Sequence, residues 1–353
     1  MELDNVSHKL ELVGNSHIID YLLKSIRKGV KAGAYIFEGP DNLGKTTLAI
    51  RFAQALLCQK GESAGACGAC LSCRKFSTKP DNAESVLREM ELGEAHGDFH
   101  LIKKEKDKKN ISIEQVREFI RKLNMSSFFN SYKIGVIKHA HTLSEEAANA
   151  LLKTLEEPKE KVIIILVTSQ IDSLLPTIIS RSQVLKFNQA SADMIYDYLV
   201  KSYKAPRSSA KNFSRLALGR PVLAVKFLED KDFYSSYMKR VKIFFSLFNQ
   251  DVNERFKAVG ELMKGEASGQ ETVKLAKRTI EIWSGVLRDL MLIEFNHADL
   301  IQHEIVGDEL MSVKRKLNLK SLLNLFDILR ESNNYLEANV NPKLVLENIA
   351  INI

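Results

Sequence analysis

A chain of 353 residues with 45% hydrophobic content has enough length and apolar material for two or three domains with ordinary cores, which excludes an intrinsically disordered protein. Its longest apolar run, residues 162–167, falls far short of the ~20 residues of a membrane span, and the opening MELDNVSHKLEL lacks the apolar stretch of a signal peptide, so a soluble, cytoplasmic protein is expected. A formal net charge of +7 is compatible with work near nucleic acid without requiring it.

In chain order, residues 10–33 place Ile18, Ile19, Leu22, Leu23 and Ile26 on one face, which predicts an amphipathic helix. AYIFE (34–38) then reads as a short buried strand, and TTLAIRFAQALL (46–57) as a helix. Between them Gly39, Gly44, Lys45 and Thr46 fit G-x-x-x-x-G-K-[ST], with Thr47 next in line. A strand before and a helix after are the context in which this signature folds into a phosphate loop. Backbone N–H groups converge on phosphate oxygens, the lysine reaches the outer phosphates, and the threonine hydroxyl can ligate Mg²⁺. Asn42 stands where glycine is frequent, and asparagine tolerates left-handed backbone angles better than other residues with a side chain. The signature is compatible with binding of ATP or ADP.

Cys58, Cys67, Cys70 and Cys73, the only cysteines, follow in the pattern C-x8-C-x2-C-x2-C. Four thiolates at short spacing suit tetrahedral Zn²⁺, and with four protein ligands no position is left open for catalysis. A structural zinc module at 58–73 is expected; four reduced free thiols are the plainer alternative, and disulfides are uncommon in a cytosolic protein.

DFHLI (98–102), YKIGVI (132–137), KVIIILVT (161–168) and QVLKF (183–187) read as further strands, interleaved with helical SIEQVREFIRKL (112–123) and SEEAANALLKTLEE (144–157). This alternation predicts an α/β domain, a parallel sheet with helices on both faces. The charged KKEKDKKN (103–110) reads as a solvated loop. The strand 132–137 runs into Lys138, His139, Ala140 and His141, where a phosphate-loop ATPase needs an acidic pair to hold Mg²⁺ and polarise the attacking water. A lysine there opposes the metal, and the two histidines read as packing residues rather than bases. Thr142 and Glu145 predict a capping box for the next helix, Ala148, Leu151, Leu152 and Leu155 its apolar stripe, and Pro158 its end.

After about residue 190 strand-like runs vanish. The pattern divides the chain into an α/β domain (1–190), a small helical module (191–234) and an all-α bundle (235–353).

LSEEAANALLKTLEEP (143–158), followed by LLPTIISRSQVLKF (174–187), resembles the clamp-loader subunits of bacterial DNA polymerase III, within the AAA+ superfamily. The likeness extends back through the phosphate loop and the cysteines and forward to YLEANVNPKLVLE (335–347). It implies an AAA+ nucleotide-binding domain, a helical lid and a helical collar used for assembly into a hetero-oligomer. The implied partners are gamma/tau and delta subunits, the sliding clamp and primed DNA.

Within the family, the ATP-hydrolysing gamma and tau subunits carry the acidic pair and an arginine in a G-x-x-R pattern at the start of the lid. Here Lys138 and His139 replace the first, and Gly219, Arg220, Pro221 and Val222 put valine in the arginine's place. Both losses resemble the delta prime branch, which typically does not hydrolyse ATP. Arg181 in ISRSQ matches the family's serine-arginine-cysteine motif, with Ser182 in the cysteine's place. The resemblance implies that Arg181 projects into a neighbour's ATP site as a trans-acting finger; the residues alone allow a local ion pair equally well. Two other readings remain: a gamma-type ATPase with a substitute acid, and a zinc-dependent nucleic-acid-binding protein.

Overall fold

The structure, a computed structural model, describes residues 12–29, 32–60, 65–76, 96–105, 108–127, 132–157, 159–264 and 269–353, and structural statements refer to these. The expected helix end at Pro158 and residues 10, 11, 30 and 31 of the first expected helix lie outside the described residues.

Helix α1 spans Ser16–Lys28, shorter than the periodicity of 10–33 suggests. Gly14 (φ 75°) and Asn15 (φ 54°) are both left-handed, so the helical path cannot extend back through them, and Gly29 (φ 67°) closes the other end with its N–H on the Ile26 carbonyl.

Five parallel strands follow: β1 (Ala34–Glu38), β2 (Phe99–Ile102), β3 (Lys133–Lys138), β4 (Val162–Thr168) and β5 (Gln183–Lys186), in the order β2-β3-β4-β1-β5. Helices α2 (Lys45–Leu57), α3 (Leu71–Phe76), α4 (Ile113–Asn124), α5 (Glu145–Glu156) and α6 (Pro176–Ser180) complete this layer. Successive side chains of a strand point to opposite faces. Tyr35, Phe37, Ile163 and Ile165 accordingly join one core with Phe52, while Ala34, Ile36, Ile164 and Leu166 join another with Phe119 and Leu151. Both faces are covered, which is why β4 is buried along its whole length and reads as an unbroken apolar run. The expected parallel sheet with helices on both faces is the observed one.

Gly135 in β3 leaves room for α4. A Cβ there would lie 2.2 Å from the Phe119 ring and 3.0 Å from Leu123. Gly135→Ala is therefore expected to cost ~1–3 kcal/mol of stability, read from urea unfolding.

The capping box expected from Thr142 and Glu145 does not form. Leu143 and Ser144 are extended, and Leu143 bridges to Ile111, whose N–H donates to the Thr142 carbonyl (2.7 Å) and whose carbonyl accepts from the Ser144 N–H (3.1 Å). Helix α5 consequently starts later, with Ser144 as its cap accepting from the Ala147 N–H. The Thr142 hydroxyl instead donates to the His139 carbonyl (2.8 Å) and closes the 3₁₀ turn Ala140–Thr142.

Tertiary packing divides the chain into two compact units, one running to Met194 and including Arg220–Val222, the other Ile195–Gly219 with Leu223–Ile353. The remaining helices are α7 (Ala192–Tyr203), α8 (Arg207–Leu216), α9 (Pro221–Glu229), α10 (Lys231–Leu247), α11 (Val252–Met263), α12 (Gln270–Glu294), α13 (Gly307–Lys314), α14 (Leu319–Glu337) and α15 (Pro342–Ile351). Trp283, fully buried, anchors the second unit's core beside Phe244 and donates its indole N–H to the Arg240 carbonyl (3.0 Å). Asp289, also fully buried, accepts the backbone N–H groups of Gln302 and His303 and lies 2.8 Å from His303 Nδ1. The other imidazole nitrogen sits 2.7 Å from the Tyr237 hydroxyl, so one carboxylate fixes the loop before α13 against α10 and α12. Segments 191–234 and 235–353 both fall largely in this second unit, so a division between them rests on the sequence pattern. Among the described residues no helix is long and apolar enough to cross a membrane.

Candidate functional site

The phosphate loop bridges β1 and α2 through three left-handed residues: Gly39 (φ 141°), Asn42 (φ 64°) and Gly44 (φ 90°). A Cβ at Gly39 would meet the Phe187 carbonyl oxygen at 2.5 Å, so both angle and space demand glycine there. Gly44 starts α2 without a side-chain cap, which leaves the first-turn N–H groups, including those of Thr46 and Thr47, to serve an anion. Lys45 is buried, its ammonium donating to the carbonyls of Gly39 and Pro40 and lying 3.9 Å from Asp41. Burial pulls this amine below the ordinary lysine range, with Asp41 and Glu38 working against that shift. Val222, at the start of α9, donates its N–H to the Asn42 carbonyl (3.0 Å), and its side chain comes within 3.9 Å of a Cβ built on Gly44. The position aligned above with the lid arginine thus lies directly on the phosphate loop and presents an aliphatic group to it.

Register places the ends of β1, β4 and β3 side by side, with Glu38 opposite Thr168 and Lys138 opposite Val167. β3 is two strands from the loop, roughly 10 Å at ordinary strand spacing, the reach over which an acid could serve a loop-bound Mg²⁺. What arrives there is Lys138, then His139 in a left-handed turn (φ 54°), and His141, whose Nδ1 is 3.2 Å from the Thr168 hydroxyl. The acids acting on Lys45, Asp41 and Glu38, belong to the loop and β1 rather than to β3. The two imidazoles stand edge to face, 5.7 Å apart. Burial holds His139 down to about 4, opposed by Asp41 and reinforced by Lys138, His141 and Lys45. At neutral pH this imidazole carries no charge.

The sign of the resulting pH dependence is fixed. The unfolded chain takes up a proton at His139 near pH 6.5, whereas the folded chain resists until about pH 4. Stability from this residue is therefore complete above pH 6.5 and is lost as pH falls toward 4. His139→Gln is expected to flatten the fall in urea midpoint between pH 7 and pH 5.

Arg181 follows α6 directly and is about one-third exposed (37%). One terminal nitrogen pairs with Glu156 Oε1 at 2.9 Å; the other donates to the Thr177 carbonyl (3.1 Å) and reaches Ser180 Oγ (3.4 Å). The local ion pair left open by the sequence thus exists in the free chain. Its carboxylate stands twenty-five positions earlier in the sequence, at the far end of α5, and no pattern marks it.

The four sulfurs of Cys58, Cys67, Cys70 and Cys73 all lie within 4.8 Å of one another, and no disulfide joins them. Cys67 and Cys73 are 3.9 Å apart, close to the ~3.8 Å that a tetrahedron with Zn–S bonds of ~2.3 Å requires. Backbone N–H groups of Cys67, Cys70 and Cys73 each point at a sulfur, of Cys58, Cys67 and Cys70 respectively, at 3.4 Å. Burial raises the Cys67 thiol, but the N–H groups of Cys70 and Ala69 and the thiols of Cys58 and Cys70 outweigh it and bring it to about 6. Burial also raises Cys73, which a coordinated cation would oppose. This donor set fits a closed four-thiolate metal site. The module is tied to the sheet edge by Ser72 Oγ, 2.9 Å from His96 Nε2, and by Phe76 against Phe99.

A family model described as "DNA polymerase III, delta subunit" matches residues 14–191, just over half of the chain. The chain is similar to DNA polymerase III subunit delta' of Bacillus subtilis (strain 168), 25% identical over 336 residues that cover 95% of this chain and 94% of that protein. It is similar also to subunit tau of the same organism, 25% identical over 366 residues covering 97% of this chain; it spans only 61% of that relative's length. Among solved structures, a gamma subunit-related protein of Thermotoga maritima has this fold, with TM-score 0.53, 17% identity, and coverage of 94% of this chain and 97% of that one.

Proposed function

Because the chain belongs to the DNA polymerase III, delta subunit, family and is a clamp-loader subunit of the delta prime, gamma and tau kind, we propose that it works as a delta prime-like member that lends hydrolysis to a neighbour rather than performing it. The end of β3 carries this reading. Mg²⁺ at a phosphate loop needs a carboxylate at that strand end, and a cation and a neutral imidazole stand there. Val222 on the loop supports it, since the position that the resemblance matches to the lid arginine presents an aliphatic side chain to Gly44. The loop keeps its N–H groups, Lys45, Thr46 and Thr47, and in this reading binds ATP or ADP without turnover.

The partners in this reading are gamma/tau and delta subunits, with the sliding clamp and primed DNA as the objects of the assembly, in the cytoplasm. Arg181 supplies the trans finger, and the four cysteines hold a structural Zn²⁺. The second unit serves as lid and collar. Leu319, Leu323 and Phe326 recur at helical spacing along α14 and stay 37%, 48% and 43% exposed, an apolar stripe suited to burial against another subunit.

The purified chain is expected to show no ATP turnover above background, while Lys45→Ala removes nucleotide binding measured by fluorescent-nucleotide titration. Turnover in the purified protein that Lys45→Ala abolishes would establish the gamma-type alternative, in which another acid substitutes for the missing pair.

A further inference from the structure

We propose that Glu156 is a positioning residue for Arg181, a latch that holds the guanidinium on its own subunit until a neighbour's triphosphate displaces it. The inference rests on the finger reading above. Both terminal nitrogens of Arg181 are engaged within the subunit: one by the Glu156 carboxylate at 2.9 Å, the other by the Thr177 carbonyl and Ser180 hydroxyl. The arginine is thereby laid back against α5 and α6.

Glu156 is the last residue of α5, where the helix dipole disfavours a carboxylate, and Glu157 follows it. Arg181 offsets that repulsion, so the pair forms spontaneously in the free chain. It is nonetheless a weak pair, with side chains 37% and 48% exposed, and such pairs shift an equilibrium only a few-fold. A nucleoside triphosphate offers several phosphate oxygens to the same planar fork and carries more charge than one carboxylate. Competition between one carboxylate and the phosphate chain therefore makes engagement of the finger depend on the charge of the nucleotide across the interface.

The test is a double-mutant cycle in the complex reconstituted with gamma-type and delta subunits, reading DNA-stimulated ATPase against ATP concentration. Glu156→Gln, which keeps the shape and removes the charge, is expected to raise kcat/KM two- to fivefold. The increase should vanish in an Arg181→Ala background, because the carboxylate acts only through the arginine. A kcat/KM that stays level or falls in Glu156→Gln, with Arg181→Ala defective, overturns the latch and leaves the finger standing. An increase that persists without Arg181 overturns the latch as well. Full activity in Arg181→Ala alone overturns both.

Discussion

Arg181→Ala is expected to lower ATP turnover at the adjoining site of the reconstituted complex by ~10³-fold or more, the range over which an arginine finger acts in phosphoryl transfer. A guanidinium is permanently charged, and in the proposed finger role its planar fork would contact two phosphate oxygens at once as charge builds in the transition state. Arg181→Lys, which keeps the charge and loses the fork, should recover only a small part of the rate. The free chain loses little in either variant. The Glu156–Arg181 pair is about half-exposed on one side and one-third on the other, and such a pair contributes ~0–1 kcal/mol. Thermal unfolding of the isolated variant is thus expected to match wild type, so that a fall in DNA-stimulated ATPase reports on the interface and not on folding. Unchanged ATPase in the assembled complex would remove the finger role.

The parts legible in the sequence are those fixed by local spacing. The phosphate loop announces itself by Gly39, Gly44 and Lys45, and Asn42 adopts the left-handed angle that its chemistry allows. The four cysteines converge because sixteen consecutive positions contain them all. The inner strands β1, β3 and β4 are legible because burial on both faces leaves mostly apolar runs. What the sequence conceals depends on partners distant in the chain. The start of α5 is set by Ile111 pairing with the segment before it, which overrides a capping pattern that is locally sound. The start of α1 is set by the left-handed Gly14 and Asn15, and Asn15 is held by a reciprocal pair of hydrogen bonds with the backbone of Asn188, which hydrophobic periodicity does not register. The carboxylate facing Arg181 is likewise invisible, as is Asp289 beneath His303, because each contact exists only once helices have packed. Val222 is an intermediate case: resemblance marks its position as meaningful, and the fold gives the reason by seating it on Asn42 and beside Gly44.

The cysteine module gives the other large expected effect: one Zn²⁺ per chain, and on its loss the unfolding of residues 65–76 rather than a mild loosening. The module has almost no apolar core of its own. Among the described residues its buried cluster is Cys58, Ala66 and Cys73, with Cys67 and Cys70 against it, so the cysteines themselves are the interior. Helix α3 spans six residues, well below the length at which an isolated helix holds together. Without a cation, burial and mutual repulsion oppose ionisation of such closely set thiols, as at Cys73, and nothing then draws the four sulfurs together. A structural zinc site contributes on the order of 10 kcal/mol to folding of its module, which supplies what burial cannot. Cys73→Ala, at the most deeply buried ligand, is therefore expected to abolish metal binding in elemental analysis. It should also raise amide exchange throughout α3. The effect should spread to β2, the edge strand, because Ser72 holds His96 and Phe76 packs on Phe99 at the start of that strand. The central strands β4 and β1, buried by α2 and α5, should keep their protection, so that the phosphate loop survives the loss of metal. Thiols that react freely in protein purified with zinc present, at wild-type exchange rates in α3, would show instead that the four cysteines stand reduced and unligated.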